Sequence, residues 1–355
     1  MSFLYAKQNK LSLLVGVLAL ASQIYFTQAQ KIKNVISKPS QVIQMLDEGF
    51  SISENQYQPG LVIPLYLWPD FDGKKCIQKF YLDIANSPMA DRTIVIMNPS
   101  NGPQWSNDSW KLKSYKACIQ LLRENKVKVV GYVHSKVGYP QISEYRQSDE
   151  VKRDIDQWEN DYGVIDGIFI DEVSNLWPDT SFDTQTKTLS YYDDIIENIT
   201  KRNANWIVVM NPGAPYLAEL VQRRSRVLSV LFEDLASNWN PLTNCGAIQR
   251  DNFDGKYGQF EKGPWCKFVP FYDNIEQGLK TYIDRGLISQ AQNIALIYSV
   301  PDNRQAVENL IQQGLKNKVG WFFLTNNDFS TSWTNEPSAT LWQYLLSALS
   351  NKKME

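Results

Sequence analysis

The chain has 355 residues, enough for one large domain or two ordinary ones, and its 43% hydrophobic and 12% aromatic content suits a well-packed globular protein. Its net charge is −2, acidic and basic residues are interspersed, and there is no long charge run. That balance argues against a nucleic-acid binder, which usually shows a basic face.

In chain order, MSFLYAKQNK carries Lys7 and Lys10, LSLLVGVLALA (11–21) is continuously apolar, and TQAQ follows at 27–30. A charged start, a short apolar core and small residues at a cleavage point after Ala29 predict a signal peptide over 1–29. The apolar run alone is short for a membrane span, and an uncleaved anchor extended through Ile24–Phe26 is the alternative. The mature protein is expected to be extracellular, with no membrane association unless that anchor is kept. Export makes disulfides the preferred reading of Cys76, Cys118, Cys245 and Cys266, which lack C-x-x-C spacing. Three pairings are open. Cys245–Cys266 with Cys76–Cys118 is preferred, because the first pair sits in one segment. Asn107-Asp-Ser and Asn198-Ile-Thr are candidate glycosylation sequons.

A polar connector over 30–58 leads into eight short apolar runs: 61–68, 93–98, 127–133, 165–171, 206–211, 227–233, 293–299 and 319–325. They are rich in Val, Ile and aromatic residues and nearly continuous in hydrophobicity, as strands buried on both faces are. Amphipathic stretches separate them. In 151–162, Val151, Ile155, Trp158 and Tyr162 make one apolar stripe at helical spacing, and 114–125, 216–224, 304–317 and 340–350 read the same way. Eight strand–helix units predict an α/β fold, a closed TIM-like (β/α)8 barrel forming a single domain over 59–350. The alternative is a doubly wound open sheet, but no G-x-G-x-x-G or P-loop follows any strand. Strands six and seven stand about 60 residues apart, which predicts an insertion at about 235–290 carrying Cys245, Cys266 and the aromatic stretch 263–273.

Barrel enzymes place their chemistry at the C-terminal ends of the strands. Here strand one ends in Tyr66 and Trp68, strand two in Asn98 with Asn101 beyond it, and strand three in Tyr132 and His134. Strand four ends in Asp171-Glu172, strand five in Asn211-Pro212-Gly213 and strand six in Glu233-Asp234. Carboxylates, amides and aromatic rings around one mouth suit a carbohydrate, since rings stack on sugar faces and polar groups bond hydroxyls. Glycosidic cleavage normally needs two carboxyl groups, and Asp171 or Glu172 facing Glu233 can supply them. Each feature also has a structural explanation: Asn-Pro pairs are common turn signals, Trp68 and Trp105 can be packing residues, and a strand-end His is more often a spectator. A single histidine with no H-E-x-x-H or H-x-H argues against a triad and against zinc, so neither metal nor cofactor is expected.

The segments LVIPLYLWP (61–69), IMNPSNGP (96–103), VVGYVHS (129–135) and VKRDIDQWENDYGVIDGIFIDE (151–172) resemble the spherulation-specific family 4 proteins, the spherulin-type glycoside hydrolases. The likeness continues in VVMNPG (208–213), LFED (231–234), ALIYSVPD (295–302) and GWFFLTNN (320–327), in order along about 61–345. The resemblance implies a (β/α)8 barrel and an extracellular hydrolase cleaving α-1,4-linked galactosamine or N-acetylgalactosamine polymers of galactosaminogalactan type. It also implies that the acids required for activity are Asp171, Glu172 and Glu233. Tyr66, Asn98, Asn101, Tyr132, His134 and Asn211 become candidate substrate contacts, and a monomer is expected. Where the family pattern after strand three has Tyr and Arg, this chain has Val137 and Pro140, a change in the cleft wall that bears on substrate identity. A non-catalytic carbohydrate-binding or coat protein on the same barrel is the alternative function. A metal-dependent deacetylase or phosphodiesterase is a third, disfavoured by the lack of clustered ligands.

Overall fold

The computed structural model describes residues 58–103, 109–137, 144–174, 182–213, 218–222, 224–239 and 287–350, all within one unit, Asn55–Glu355. The predicted signal segment, almost all of the connector, Trp105, Asn107, Pro140, Cys245, Cys266 and most of the predicted insertion lie outside the described residues. Among the described residues no helix is long and apolar enough to cross a membrane.

In chain order the strands and main helices are β1 (Gly60–Leu65), α1 (Lys79–Ala85), β2 (Thr93–Met97), α2 (Ser109–Glu124), β3 (Lys128–His134), β4 (Lys136–Val137) and β5 (Glu144–Tyr145). Next come α3 (Ser148–Gln157), β6 (Gly167–Asp171), α4 (Phe182–Arg202), β7 (Ile207–Met210), α5 (Ala218–Val221) and β8 (Val227–Leu235). The chain ends with β9 (Asn293–Tyr298), α6 (Arg304–Lys316), β10 (Trp321–Leu324) and α7 (Ala339–Ser350). The eight long strands close a parallel barrel in the order β1-β10-β9-β8-β7-β6-β3-β2, so each strand pairs with its neighbours in the chain and β10 returns to β1. This is the predicted (β/α)8 barrel. Strands such as TIVIM and NIALIY are buried along their whole length because the lumen covers one face and helices the other.

Two close approaches fix how layers meet. Trp158, on the one-turn π-helical extension of α3 (Trp158–Tyr162), is fully buried and donates from Nε1 to the Tyr132 carbonyl at 2.8 Å. Its ring occupies the place of a side chain at Gly131, where an added Cβ would lie 2.4 Å from the indole. Gly167, opening β6, meets β7 still more closely: a Cβ there would lie 1.9 Å from the Ile207 carbonyl oxygen. Backbone cannot yield as a flexible side chain can. Gly167→Ala is therefore expected to cost about 3 kcal/mol or more, read as a lower urea midpoint.

The Cys76–Cys118 disulfide forms as predicted, tying the β1–α1 loop to α2. Four features were not foreseen. The short α1 offers too few turns for a period to show, and α4 begins with the polar run FDTQTKT, although Tyr192, Ile195, Ile196 and Ile199 form its buried stripe. The chain after β3 makes a two-stranded antiparallel ribbon of β4 and β5. Finally, the register of β8 against β9 jumps between Val230 and Phe232, leaving Leu231 as a bulge.

Candidate active site

The bulge decides where Glu233 points. Val230 pairs with Ile294 and Glu233 with Leu296, two positions apart on β9 and so on one face. Val230 and Glu233 therefore share a face although they stand three positions apart in the chain. In a regular strand they would oppose each other, and the extra residue re-aims the carboxylate toward the lumen side.

There Asn211, buried at the top of β7, joins two acids through a single nitrogen. Its Nδ2 donates to Asp171 Oδ1 at 2.8 Å and to Glu233 Oε2 at 2.7 Å. The two carboxyl oxygens are thus at most 5.5 Å apart. The amide is held in turn, since Asn211 Oδ1 accepts the Gly213 N–H at 2.9 Å. Gly213 has a φ of 63°, so glycine makes this turn without strain. Asp171 Oδ2 accepts from the Tyr132 hydroxyl at 2.6 Å, and its carboxylate also takes the Glu172 N–H. Tyr132 stacks on Phe169 (centroids 5.6 Å apart) and meets Tyr66 edge-on at 5.8 Å. The Tyr66 hydroxyl bonds the Asn98 side chain.

These partners set the charge states. Burial pushes the Glu233 carboxyl up to about 8, with the neighbouring Asp171 charge adding and the Asn211 bond opposing. Burial also raises Asp171, but three donors, Tyr132, the Glu172 N–H and Asn211, act to keep it ionised. With one proton on the pair, Glu233 holds it and Asp171 carries the charge. Both tyrosine hydroxyls stay protonated, raised by burial and then by the adjacent carboxylates.

Glu172, next in the chain, turns elsewhere. Its φ of 57° is left-handed, an uncommon and strained state for a residue with a side chain. Ser135 secures this turn: its Oγ lies 2.9 and 3.1 Å from the carbonyls of Asp171 and Glu172, and pairs with the Tyr192 hydroxyl at 3.0 Å. The Tyr192 hydroxyl also accepts the Ser174 N–H at 2.9 Å. The Glu172 carboxyl faces Lys136 on the β4–β5 ribbon and accepts its backbone N–H. Burial and then the Asp171 charge raise Glu172 to about 7, while Oε2 has no hydrogen-bond partner among the described residues.

The model of spherulation-specific family 4 matches residues 60–349. The chain belongs to that family. Spherulin-4 of Physarum polycephalum is 28% identical over 179 residues, 50% of this chain and 46% of that protein, so the chain spans about half the length of that relative. Among solved structures, the Sph3 protein of Aspergillus clavatus, in complex with GalNAc, shares the fold with a TM-score of 0.52 and 20% identity, over 82% of this chain and 98% of that one. The glycoside hydrolase domain of PelA from Pseudomonas aeruginosa aligns at 10% identity and a TM-score of 0.44, over 75% and 94%.

In this family member, Tyr66, Asn98, Tyr132, Asn211, Asp171 and Glu233 gather at one end of the lumen, with Glu172 beside them. Asn101 and His134 belong to an adjoining network. His134 is held by the Asn101 backbone and lies 3.5 Å from Arg146 Nη1, which also donates to the His134 carbonyl at 3.0 Å and to Asp154 Oδ2 at 2.7 Å. Burial and then Arg146 hold the His134 imidazole below its ordinary value. The Asn101 side chain is exposed, and Asn198 sits on α4 with Oδ1 accepting from Arg202 Nε at 3.0 Å. Ser135, Lys136, Arg146, Asp154 and Tyr192 carry no mark in the sequence of a place beside the site. Asp154 alone stands out, as an acid within the Val151–Trp158 stripe of an amphipathic helix. Among the described residues, no group of three or more His, Cys, Asp or Glu side chains is gathered as a metal would require.

Proposed function

We propose that the chain is an extracellular glycoside hydrolase that cleaves α-1,4-linked galactosamine or N-acetylgalactosamine polysaccharide with retention of anomeric configuration. The observation that carries this reading is the Asn211 amide shared by Asp171 and Glu233. Retaining glycosidases hold their two carboxyl groups about 5–5.5 Å apart, whereas inverting ones leave about 6.5–9.5 Å for a water. A separation of at most 5.5 Å between the bonded oxygens supports the first class. Membership of spherulation-specific family 4 and the GalNAc held by the Sph3 relative support the sugar.

In this mechanism the Glu233 proton passes to the glycosidic oxygen as the bond to the anomeric carbon breaks. Asp171 attacks that carbon from the opposite face and forms a glycosyl ester. Glu233, now a carboxylate, takes a proton from water, whose oxygen attacks the same carbon and releases Asp171. Two inversions restore the original configuration. The bonds from Tyr132 and Asn211 orient the Asp171 oxygens, and the raised Glu233 carboxyl still holds its proton near neutral pH. Glu172 lies beside the pair and is assigned to substrate contact.

Purified protein should release reducing ends from such a polymer, and proton NMR should show the new ends appearing first as the α-anomer. First appearance as the β-anomer would overturn retention. No release, with the polymer still bound, would favour the non-catalytic binding protein.

A further inference from the structure

We infer that the exposed rings of Trp68 and Trp110, with the half-buried Phe71 against Trp110, form a stacking platform beside the mouth, on which a polysaccharide chain lies as it leaves the carboxylate pair. Trp68 is 44% and Trp110 55% exposed, among the most exposed large apolar side chains of the described residues. Indoles left in water at one place are a recognised sign of a binding surface. Phe71 packs against Trp110 at 5.2 Å, Trp68 meets Tyr115 on α2 edge-on at 5.7 Å, and the ammonium of Lys111, next to Trp110 in the chain, lies 5.5 Å from the Trp68 ring centre.

Its position selects the occupant. Trp68 follows Tyr66 by two residues, which places their Cα atoms within about 7 Å. Tyr66 stands beside Asp171 and Glu233, so a chain held at those acids has the indole next to it. Flat rings with an ammonium alongside suit a sugar, whose C–H face is apolar and whose edges bond donors.

The platform is also built to stay in place. The Cys76–Cys118 disulfide ties its loop to α2, Asp72 Oδ1 accepts the N–H groups of Lys74 and Lys75 at 2.9 Å each, and the Tyr81 hydroxyl anchors the Leu67 carbonyl at 2.9 Å. Rings fixed before binding lose little freedom on contact.

The inference rests on the glycosidase reading, and the test separates the two. Affinities for an α-1,4-linked N-acetylgalactosamine polymer and for a trisaccharide of the same linkage would be measured in Glu233→Gln protein, with and without Trp68→Ala and Trp110→Ala. The pair of alanines is expected to weaken polymer binding about tenfold, equivalent to about 1.4 kcal/mol, and trisaccharide binding less than twofold. Trp68→Phe with Trp110→Phe should recover most of the loss. Unchanged polymer affinity would overturn the platform even if the parent protein hydrolyses the polymer. Equal loss on both ligands, or no polymer binding by the parent, would overturn it too. Selective loss on the polymer would uphold the platform even in a protein that never cleaves it.

Discussion

Glu233→Gln is expected to abolish turnover while raising thermal stability at alkaline pH. Loss of the proton donor should lower kcat by about a thousandfold, within the range general acid catalysis supplies. The stability effect follows from the raised carboxyl, which sits near 8 in the folded protein against an ordinary 4.5. A group raised on folding binds its proton more tightly in the native state. Its contribution is therefore complete below about 4.5 and is lost as pH climbs through about 8. Part of the Glu233 surface faces the open mouth, where water softens the penalty, so the contribution is on the order of 3 kcal/mol. Glutamine never charges and lacks this pH slope. At pH 9 the variant should melt several degrees above the wild type, and near pH 5 the two should nearly coincide. Equal slopes in scanning calorimetry would mean that Glu233 is not held protonated. The same group should set the alkaline limb of kcat/KM near pH 8, with activity falling as the donor ionises.

How much of this was legible in the sequence depended on what made each feature local. The barrel strands are near-continuous apolar runs, and a parallel sheet covered on both faces needs little else, so TIVIM and NIALIY declared themselves. The acids at strand ends were legible because Asp171 and Glu233 interrupt those runs. Their relation was not. The bulge at Leu231 leaves no mark in VLSVLFEDL, yet it turns Glu233 toward Asn211. The adjacent pair Asp171-Glu172 likewise reads as two equivalent acids. One left-handed residue and the Ser135 hydroxyl make them unequal, sending one to the lumen side and the other to Lys136. Asn211-Pro212-Gly213 carries both of its readings at once, because the turn that places Gly213 also supplies the amide that bridges the acids.

Asp154 shows the same limit in an element that was foreseen, and its removal should be the costliest change away from the acids. The side chain is 5% exposed and Arg146, its partner at 2.7 Å, 12% exposed. Asp154→Ala leaves a guanidinium in a nearly closed site with the His134 carbonyl and the Glu172 charge nearby, but without its bonded carboxylate. Breaking a buried pair from one side typically costs about 3–5 kcal/mol, whereas Asp154→Asn keeps an oxygen acceptor and should cost clearly less. The damage should reach the mouth through Arg146, because Arg146 bonds His134 and His134 is held by the Asn101 backbone. Gly102, whose N–H bonds Asn98 Oδ1, lies beside Asp154 as well, and Asn98 in turn holds the Tyr66 hydroxyl. The chain has a single histidine, so one imidazole signal reports on this network. Asp154 raises that imidazole while Arg146 lowers it, so in Asp154→Ala the signal should titrate at a lower pH than in the wild type. A lower urea midpoint with an unmoved histidine titration would mean that the pair supports the helix alone. Movement of both would tie the buried ion pair to the rim of the cleft.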